Sequence, residues 1–329
     1  MRIVFDIGGT SFRYAFFKNG EILSIEKGST PNYLQGHTPE EVNKLLIERI
    51  TQAIASSPEK VTEVGICYAG PVSGDGSILA SPTIHGIKLE QPFNLKAAIQ
   101  DQTGIKDVCV INDLSAAAFR YIDDYSSYEL ITISTSVGNK IVINKHLQLG
   151  REGLEGELGH LVAHLPTRYS TELSLVCSCG SEVNHIGAIS SGRGIADVAA
   201  QLRDGALGFD YLVSSLKGKD DLSAEDITSA YEQGDVFSRC VLDICTYPLA
   251  YAICLTLTSL YLEKVILIGG VVLNSTSYFD SLMDNIQSIG VYNYTPEYLR
   301  EKVILGVCDD DSGLIGMNRY LETHHDLLE

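Results

Sequence analysis

The sequence predicts an α/β protein built from two related units, with an active-site cleft between two lobes. Three observations predict it. Each half opens with a hairpin around a turn of small residues: strands 2–7 and 12–17 around Gly8-Gly9-Thr10, then 129–134 and 140–144 around Thr135-Ser136-Val137-Gly138-Asn139. Short apolar strands alternate with helical stretches, and several strands end in Gly, Asn or Asp. No Pro- or Ser-rich linker separates the halves, so their boundary reads as a cleft and not a tether.

The elements follow in order. Residues 2–7, 12–17 and 21–26 read as a meander, with Asn19-Gly20 as the second hairpin turn. Thr38 caps a helix, Pro39 suits its first position, and Glu41 completes a capping box. Val42, Leu45, Leu46, Ile50, Ala53 and Ile54 form its apolar stripe. A strand at 64–68 runs into Ala69-Gly70-Pro71, a helix is expected at 93–102, and a strand at 108–111 ends at Asn112-Asp113 before a helix at 114–122. In the second half, Ser191-Gly192-Arg193-Gly194 begins a helix and further helices cover 224–232 and 237–262. A strand at 265–268 ends in Gly269-Gly270, and a strand at 303–304 and a helix from about 312 close the chain. This gives an N-terminal lobe of 1–113, completed by a C-terminal helix at 312–329, and a C-terminal lobe of 114–311 with a zinc-like insertion at 155–190.

Composition narrows the function. The chain has 329 residues and a net charge of −18 with no offsetting Lys/Arg cluster, which argues against nucleic acid and anionic membrane as partners. An anionic ligand then needs a cradle of backbone N–H groups or a metal ion. The long uncharged stretch between Asp243 and Glu263 carries Pro248 and several Thr, and reads as a core helix. The opening residues to Asp6 carry no leader pattern. Most of the eight Cys sit in apolar surroundings, as expected in a reducing cytoplasm.

Several short segments could carry chemistry. In Asp6-Ile7-Gly8-Gly9-Thr10 a strand delivers a carboxylate to its end and two glycines let backbone N–H groups approach phosphate oxygens. Asp6 could hold Mg²⁺ and Thr10 adds a hydroxyl; the alternative is an ordinary hairpin turn. Thr135 to Asn139 is a candidate second phosphate turn, and Gly269-Gly270 could admit a flat ring at a strand end. Asp113 could take a proton from a substrate hydroxyl while Asn112 fixes a neighbouring one, or Asp113 could be a helix N-cap, or both. Glu157 and His160 are three apart and share a face if helical. Cys177 and Cys179, with His160 and His185, make a four-ligand set suited to tetrahedral zinc. The chain has neither a G-x-x-x-x-G-K-[ST] P-loop nor a Rossmann G-x-G-x-x-G.

The ordered set DIGGT, AGP, ND, EGELGH, CSCG, SGRGI, LIGGV and DDDSGLIG, spread from Arg2 to about Tyr320, resembles the ROK family of bacterial sugar kinases. The resemblance implies the two-lobed ribonuclease-H-like/actin-like ATPase fold and ATP-dependent phosphorylation of a hydroxyl on a hexose, amino sugar or N-acetyl sugar. It implies that Asp6, Gly8, Gly9 and Thr10 form the first phosphate turn, that Thr135 and Gly138 belong to the second, and that Gly269 and Gly270 flank adenosine. Asp113 would be the general base. Asn112, Glu157 and His160 would grip ring hydroxyls, and His160 would also ligate a structural zinc. Mg²⁺ as cofactor and a homodimer are implied too.

Three departures stand out. His185 falls on the family's third Cys position, so the expected zinc set is His160, Cys177, Cys179 and His185. Gly187 stands where the family has a sugar-binding Glu, and Thr83 where it has an Asn. Losing a buried acid that pairs with hydroxyls should change substrate choice, so an amino sugar, an N-acylated sugar or a carbocyclic polyol gains ground over glucose. The competing readings are weaker. A repressor would carry a basic winged helix, a silent sugar-binding protein would need neither Asp6 nor Asp113, and another ATPase of the superfold would lack the EGELGH and CSCG block.

Overall fold

A computed structural model describes residues 1–86, 89–150, 153–167, 172–205 and 207–326. The end of the expected last helix at 327–329, and residues 168–171 of the expected insertion, lie outside the described residues. The chain forms two compact units: Met1–Asp124, Leu147–Glu155 and Asp309–Glu329 make the first, Tyr125–His146 and Gly156–Cys308 the second.

The first unit begins with the expected meander, β1 (Arg2–Ile7), β2 (Ser11–Lys18) and β3 (Glu21–Ser29). Helix α1 (Pro39–Ala55) follows, with the Thr38/Glu41 capping box formed. Then come β4 (Glu63–Tyr68), β5 (Ser77–Ile78), α2 (Pro82–His85), β6 (Phe93–Asn94), α3 (Leu95–Thr103), β7 (Asp107–Asn112) and α4 (Asp113–Phe119). The sheet order is β3-β2-β1-β4-β7, with β1, β4 and β7 parallel. Ile3, Val4, Phe5 and Ile7 are all fully buried, the near-continuous apolar run of a strand covered on both faces. Val42, Leu46, Ile50 and Ala53 of α1 join the core beneath it. The helix expected at 93–102 starts later. Phe93-Asn94 pairs with β5, and the Asn94 side chain accepts from Ala97 N at 2.8 Å, so a good capping residue sets the boundary.

The second unit repeats the plan. It contains β8 (Tyr128–Ile133), β9 (Val137–Ile143), β10 (His146–Leu147), α5 (Ile186–Ser190), α6 (Gly192–Arg203), α7 (Gly208–Val213), α8 (Ala224–Glu232), α9 (Val236–Ser259), β11 (Lys264–Ile268), α10 (Gly270–Leu273), α11 (Thr276–Ile289), α12 (Pro296–Lys302) and β12 (Val303–Leu305). Its sheet order, β10-β9-β8-β11-β12, matches the first sheet strand for strand, again with three parallel strands beyond an antiparallel edge. The duplication expected from the two hairpins is therefore real. Helix α9 is long and apolar enough to cross a membrane, yet 67% of its most apolar window is buried within the protein, as the core-helix reading expected.

Helix α13 (Ser312–Asp326) completes the first unit by packing on α4, β1 and β4. The α4–α13 contact is backbone to backbone: a Cβ on Gly316 would lie 1.9 Å from the Ala116 carbonyl oxygen. The run Ala116-Ala117-Ala118 opposite permits that approach, and it keeps α4 in the first unit, past the lobe boundary expected at residue 113. Gly316→Ala is expected to cost about 2 kcal/mol or more in urea unfolding. A loss below about 0.5 kcal/mol would mean that the two helices can slide apart freely.

Candidate active site

In the first unit Ile7, Tyr68 and Asn112 are register partners across β1, β4 and β7. The residues after them therefore leave one edge of the sheet, beyond the carboxyl ends of its parallel strands, where α/β sheets bind ligands. After β1, Gly8 N–H donates to Ser11 O at 2.9 Å to close the turn. The Gly8 and Gly9 carbonyls accept from Thr30 Oγ1 at 2.7 Å and Asn32 Nδ2 at 2.8 Å. Both carbonyls are thus held by the strand-β3 side of the hairpin. A Cβ on Gly9 would lie 2.9 Å from Thr83 Cβ, so this glycine lets α2 carry Thr83 against the turn.

Asp6 ends up paired. Arg13 Nη2 lies 2.5 Å from its Oδ2, and the same guanidinium reaches Asp311 Oδ1 at 3.5 Å and the Asp310 carbonyl. Burial pushes the Asp6 carboxyl up; the Arg13 hydrogen bond and charge pull it down, and Asp310 and Asp311 push it up again, leaving it above the ordinary value. Arg13 and Asp311 stand outside the candidate residues read from the sequence. The signal for Arg13 was present: once Gly8–Thr10 is the turn, the hairpin register sets Asp6 opposite Arg13, an opposite-charge cross-strand pair.

After β7, Asn112 and not Asp113 is the N-cap of α4. Asn112 Oδ1 accepts from Leu114 N at 3.0 Å and Ser115 N at 3.1 Å. Its Nδ2 donates to the Gly70 carbonyl at 3.0 Å and to Asp113 Oδ1 at 2.9 Å. That fills the amide's capacity, so in this conformation Asn112 ties the Ala69-Gly70 loop to Asp113 and offers no donor to a ring hydroxyl. Asp113 Oδ1 also accepts from Leu114 N at 2.8 Å, which fixes the carboxyl plane of a half-buried acid.

The second unit presents an equivalent edge. Thr132 and Ile268 are in register on β8 and β11. Gly269 has φ +100°, and a Cβ there would lie 2.4 Å from the Ile133 carbonyl oxygen, so only glycine fits. The turn is Ser134–Ser136, closed by Ser134 N–H to Ser136 O at 3.0 Å, and Gly192 at the start of α6 docks on it through Gly192 N–H to Ser134 O at 2.8 Å. Thr135 is exposed on this turn, whereas Gly138 lies within β9 opposite Thr132.

The Glu157–His160 segment is a single 3₁₀ turn, Leu158–His160, laid on β9. Two glycines allow this: Cβ atoms on Gly156 and Gly159 would lie 2.0 Å from Asn139 O and 2.1 Å from Val137 O. The chain then runs beside 184–186, with Ala163 N–H to Asn184 O at 2.7 Å and Ile186 N–H to Leu161 O at 2.9 Å, which brings His160 next to His185. A tight turn at Cys177–Gly180, closed by Gly180 N–H to Cys177 O at 2.9 Å, adds both thiols. The ligand atoms of His160, Cys177, Cys179 and His185 all lie within 4.8 Å of one another. Cys177 Sγ is 3.4 Å from His160 Nδ1 and Cys179 Sγ is 3.6 Å from His185 Nδ1. Those two lengths match the ~3.6 Å S–N edge of a zinc tetrahedron, and the donor set fits zinc in its chemistry. His160 turns its Nε2 toward Glu157, 3.7 Å from Oε2. A Cβ on Gly187 would lie 3.1 Å from Gly159 O, so α5 backbone abuts the same turn where an acid was expected to stand.

The turn has one further support. Asn139 N–H donates to Gly156 O at 3.0 Å, and Asn139 Nδ2 donates to Glu129 Oε1 at 2.7 Å inside the second sheet. Burial pushes the Glu129 carboxyl up to about 7, against hydrogen bonds from Asn139 and Thr256. The folded protein thus holds a proton that the unfolded chain releases near the ordinary glutamate value. This stabilisation is full below that value and is lost as pH rises through about 7. Between pH 5 and 8 the wild type is expected to lose about 2–3 kcal/mol relative to Glu129→Gln in urea unfolding. Parallel curves for the two proteins would refute the assignment.

The chain as a whole has counterparts among known proteins. The ROK family model matches residues 2–323. A C(7)-cyclitol 7-kinase from Streptomyces hygroscopicus subsp. limoneus is 31% identical over 337 residues, covering 96% of this chain and 92% of the relative. The crystal structure of a ROK hexokinase from Thermus thermophilus superposes with a TM-score of 0.73 at 22% identity, covering 98% of this chain and 99% of that one. That of a ROK family glucokinase from Streptomyces griseus, in complex with glucose and AMPPNP, gives 0.67 at 24% identity, covering 98% and 99%. The repeated five-stranded sheets are thus those of the actin-like ATPase fold. With a family match over almost the whole length and a full-length relative, the chain belongs to the ROK family.

Proposed function

We propose that the protein transfers the terminal phosphoryl group of ATP to a ring hydroxyl of a sugar or cyclitol, with Asp113 as general base. The observation that carries this reading is the shared edge in the first unit: the glycine turn after β1 and the Asn112–Asp113 pair after β7 leave the same side of one sheet, separated by one strand. A phosphate cradle and a fixed carboxylate about two strand spacings apart, ~10 Å, suit a donor and an acceptor hydroxyl set in line.

The roles follow from the contacts. With the Gly8 N–H closing the turn, the N–H groups of Gly9 and Thr10 hold phosphate oxygens, and Thr10 adds a hydroxyl. Asp6 is the oxygen ligand for Mg²⁺, which neutralises phosphate charge when bound. In the second unit, Thr135 and the turn it sits on take phosphate as well, and Gly269-Gly270 lies against adenosine. Asp113 accepts the proton of the attacking hydroxyl, and Asn112 orients Asp113. Glu157 and His160 grip ring hydroxyls. Zinc held by His160, Cys177, Cys179 and His185 fixes the His160 ring, and Glu157 restrains its other nitrogen.

Gly187 favours a cyclitol within this class. No side chain at that position supplies the second acid for paired sugar hydroxyls, and a C(7)-cyclitol 7-kinase matches nearly the full length at 31% identity, above the 26% of a glucokinase that matches as much of the chain. The eight free cysteines fit a reducing cytoplasm, and the family resemblance carries a homodimer. ADP release from Mg-ATP is measured across hexoses, amino sugars, N-acetyl sugars, ketoses and cyclitols. One strong acceptor is expected. ATP binding without release from any ring polyol would overturn the kinase reading.

A further inference from the structure

The carboxylate assigned to the metal is already occupied by a side chain. Arg13 is 12% exposed and Asp6 17%, so their 2.5 Å pair is shielded, unlike a surface ion pair. The same guanidinium also reaches Asp311 and the Asp310 carbonyl, so one cation serves a group of acids at the mouth of the phosphate turn. The hairpin register holds Arg13 opposite Asp6, and Gly313 closes the other side, where a Cβ would lie 3.2 Å from Asp6 Cγ. Asp6 therefore has little freedom to leave its partner. A divalent cation at Asp6 Oδ2 must compete with the Arg13 N–H that this oxygen now accepts, and with the positive charge behind it.

We propose that Arg13 is a built-in counter-ion that orients Asp6 and keeps free divalent metal off it until nucleotide arrives. This inference rests on the kinase reading. Nucleotide phosphates offer oxygens that a guanidinium takes in its planar fork, so Arg13 can pass from carboxylate to phosphate as metal and nucleotide enter together. In an acidic protein this guards against loading the site with metal alone. Arg13 is thus a positioning residue for the metal carboxylate.

Mn²⁺ binding without nucleotide, read from the free-ion electron paramagnetic resonance signal, tests it. Arg13→Gln removes the charge but leaves a polar side chain on the strand, and the β1–β2 backbone pairing keeps the hairpin. Arg13→Lys keeps the charge. Removing a unit positive charge one ion-pair distance from a metal ligand is worth at least about ten-fold in affinity. Arg13→Gln is therefore expected to bind one Mn²⁺ at least about ten-fold more tightly than wild type, and Arg13→Lys to match wild type. Equal or weaker binding by folded Arg13→Gln overturns the proposal. A parallel titration with AMPPNP separates the two readings. If wild type binds Mn-AMPPNP and Arg13→Gln shows no gain in metal affinity, only the Arg13 role fails. If wild type binds no nucleotide, the kinase reading fails and takes this one with it.

Discussion

Asp113→Asn is expected to lower turnover by roughly 10²- to 10⁴-fold, the usual worth of a general base. The substitution is clean because it keeps Oδ1, which accepts from both Leu114 N and Asn112 Nδ2. Helix α4 keeps its cap, since Asn112 supplies that cap and not Asp113. Fold and nucleotide affinity should therefore survive, and the loss should fall on kcat with little change in KM for ATP. Steady-state kinetics with the best acceptor, beside a thermal melt and an AMPPNP titration, would check it. Near-full activity would show that Asp113 is only part of the helix start. A parallel loss of stability would place its role in the α4 terminus instead.

Much of this molecule could be read before its structure, and the reasons differ by element. Strands of the parallel cores are apolar almost throughout, as Ile3, Val4, Phe5 and Ile7 are, and such runs are unambiguous when glycine turns end them. The α1 capping box is a local pattern and was equally clear. The gathering of His160, Cys177, Cys179 and His185 was legible because Cys and His are scarce and chemically distinct. Helices α5, α7, α11 and α12 went unassigned. Segment 274–302 mixes Ser, Thr, Asn and Tyr, and the stripe of Tyr278, Leu282, Met283 and Ile286 becomes visible only once Ser275 is seen to cap α11. The candidate site was legible at the residues a motif names and opaque where tertiary register decides. Asn112 was taken for a ligand-binding amide, but its bonds go to Gly70, Asp113 and the start of α4. Arg13 sits in no motif, and its partner Asp311 is 298 residues away in sequence.

The zinc prediction joins that legible chemistry to function. Protein purified without chelators is expected to carry about one zinc per chain, because two thiols and two imidazoles already lie within 4.8 Å of one another. Zinc binding is strong enough to order a short loop outright, and it would add to the backbone ties that already hold the Leu158–His160 turn on β9. Cys179→Ser is the better probe, since Cys179 is exposed while Cys177 is packed in the core. It should abolish stoichiometric zinc and raise KM for the acceptor roughly 10- to 100-fold, because His160 loses the bond that fixes its ring. AMPPNP affinity should change little, since none of the residues assigned to nucleotide is a ligand of the cluster. His185→Cys adds a decisive arm. A third thiolate keeps four donors, so zinc should be retained and acceptor KM should stay near wild type. Wild-type protein free of zinc after gentle preparation would sink the assignment. Zinc present but Cys179→Ser without effect on acceptor KM would leave the metal a purely structural tie, uncoupled from the His160 ring.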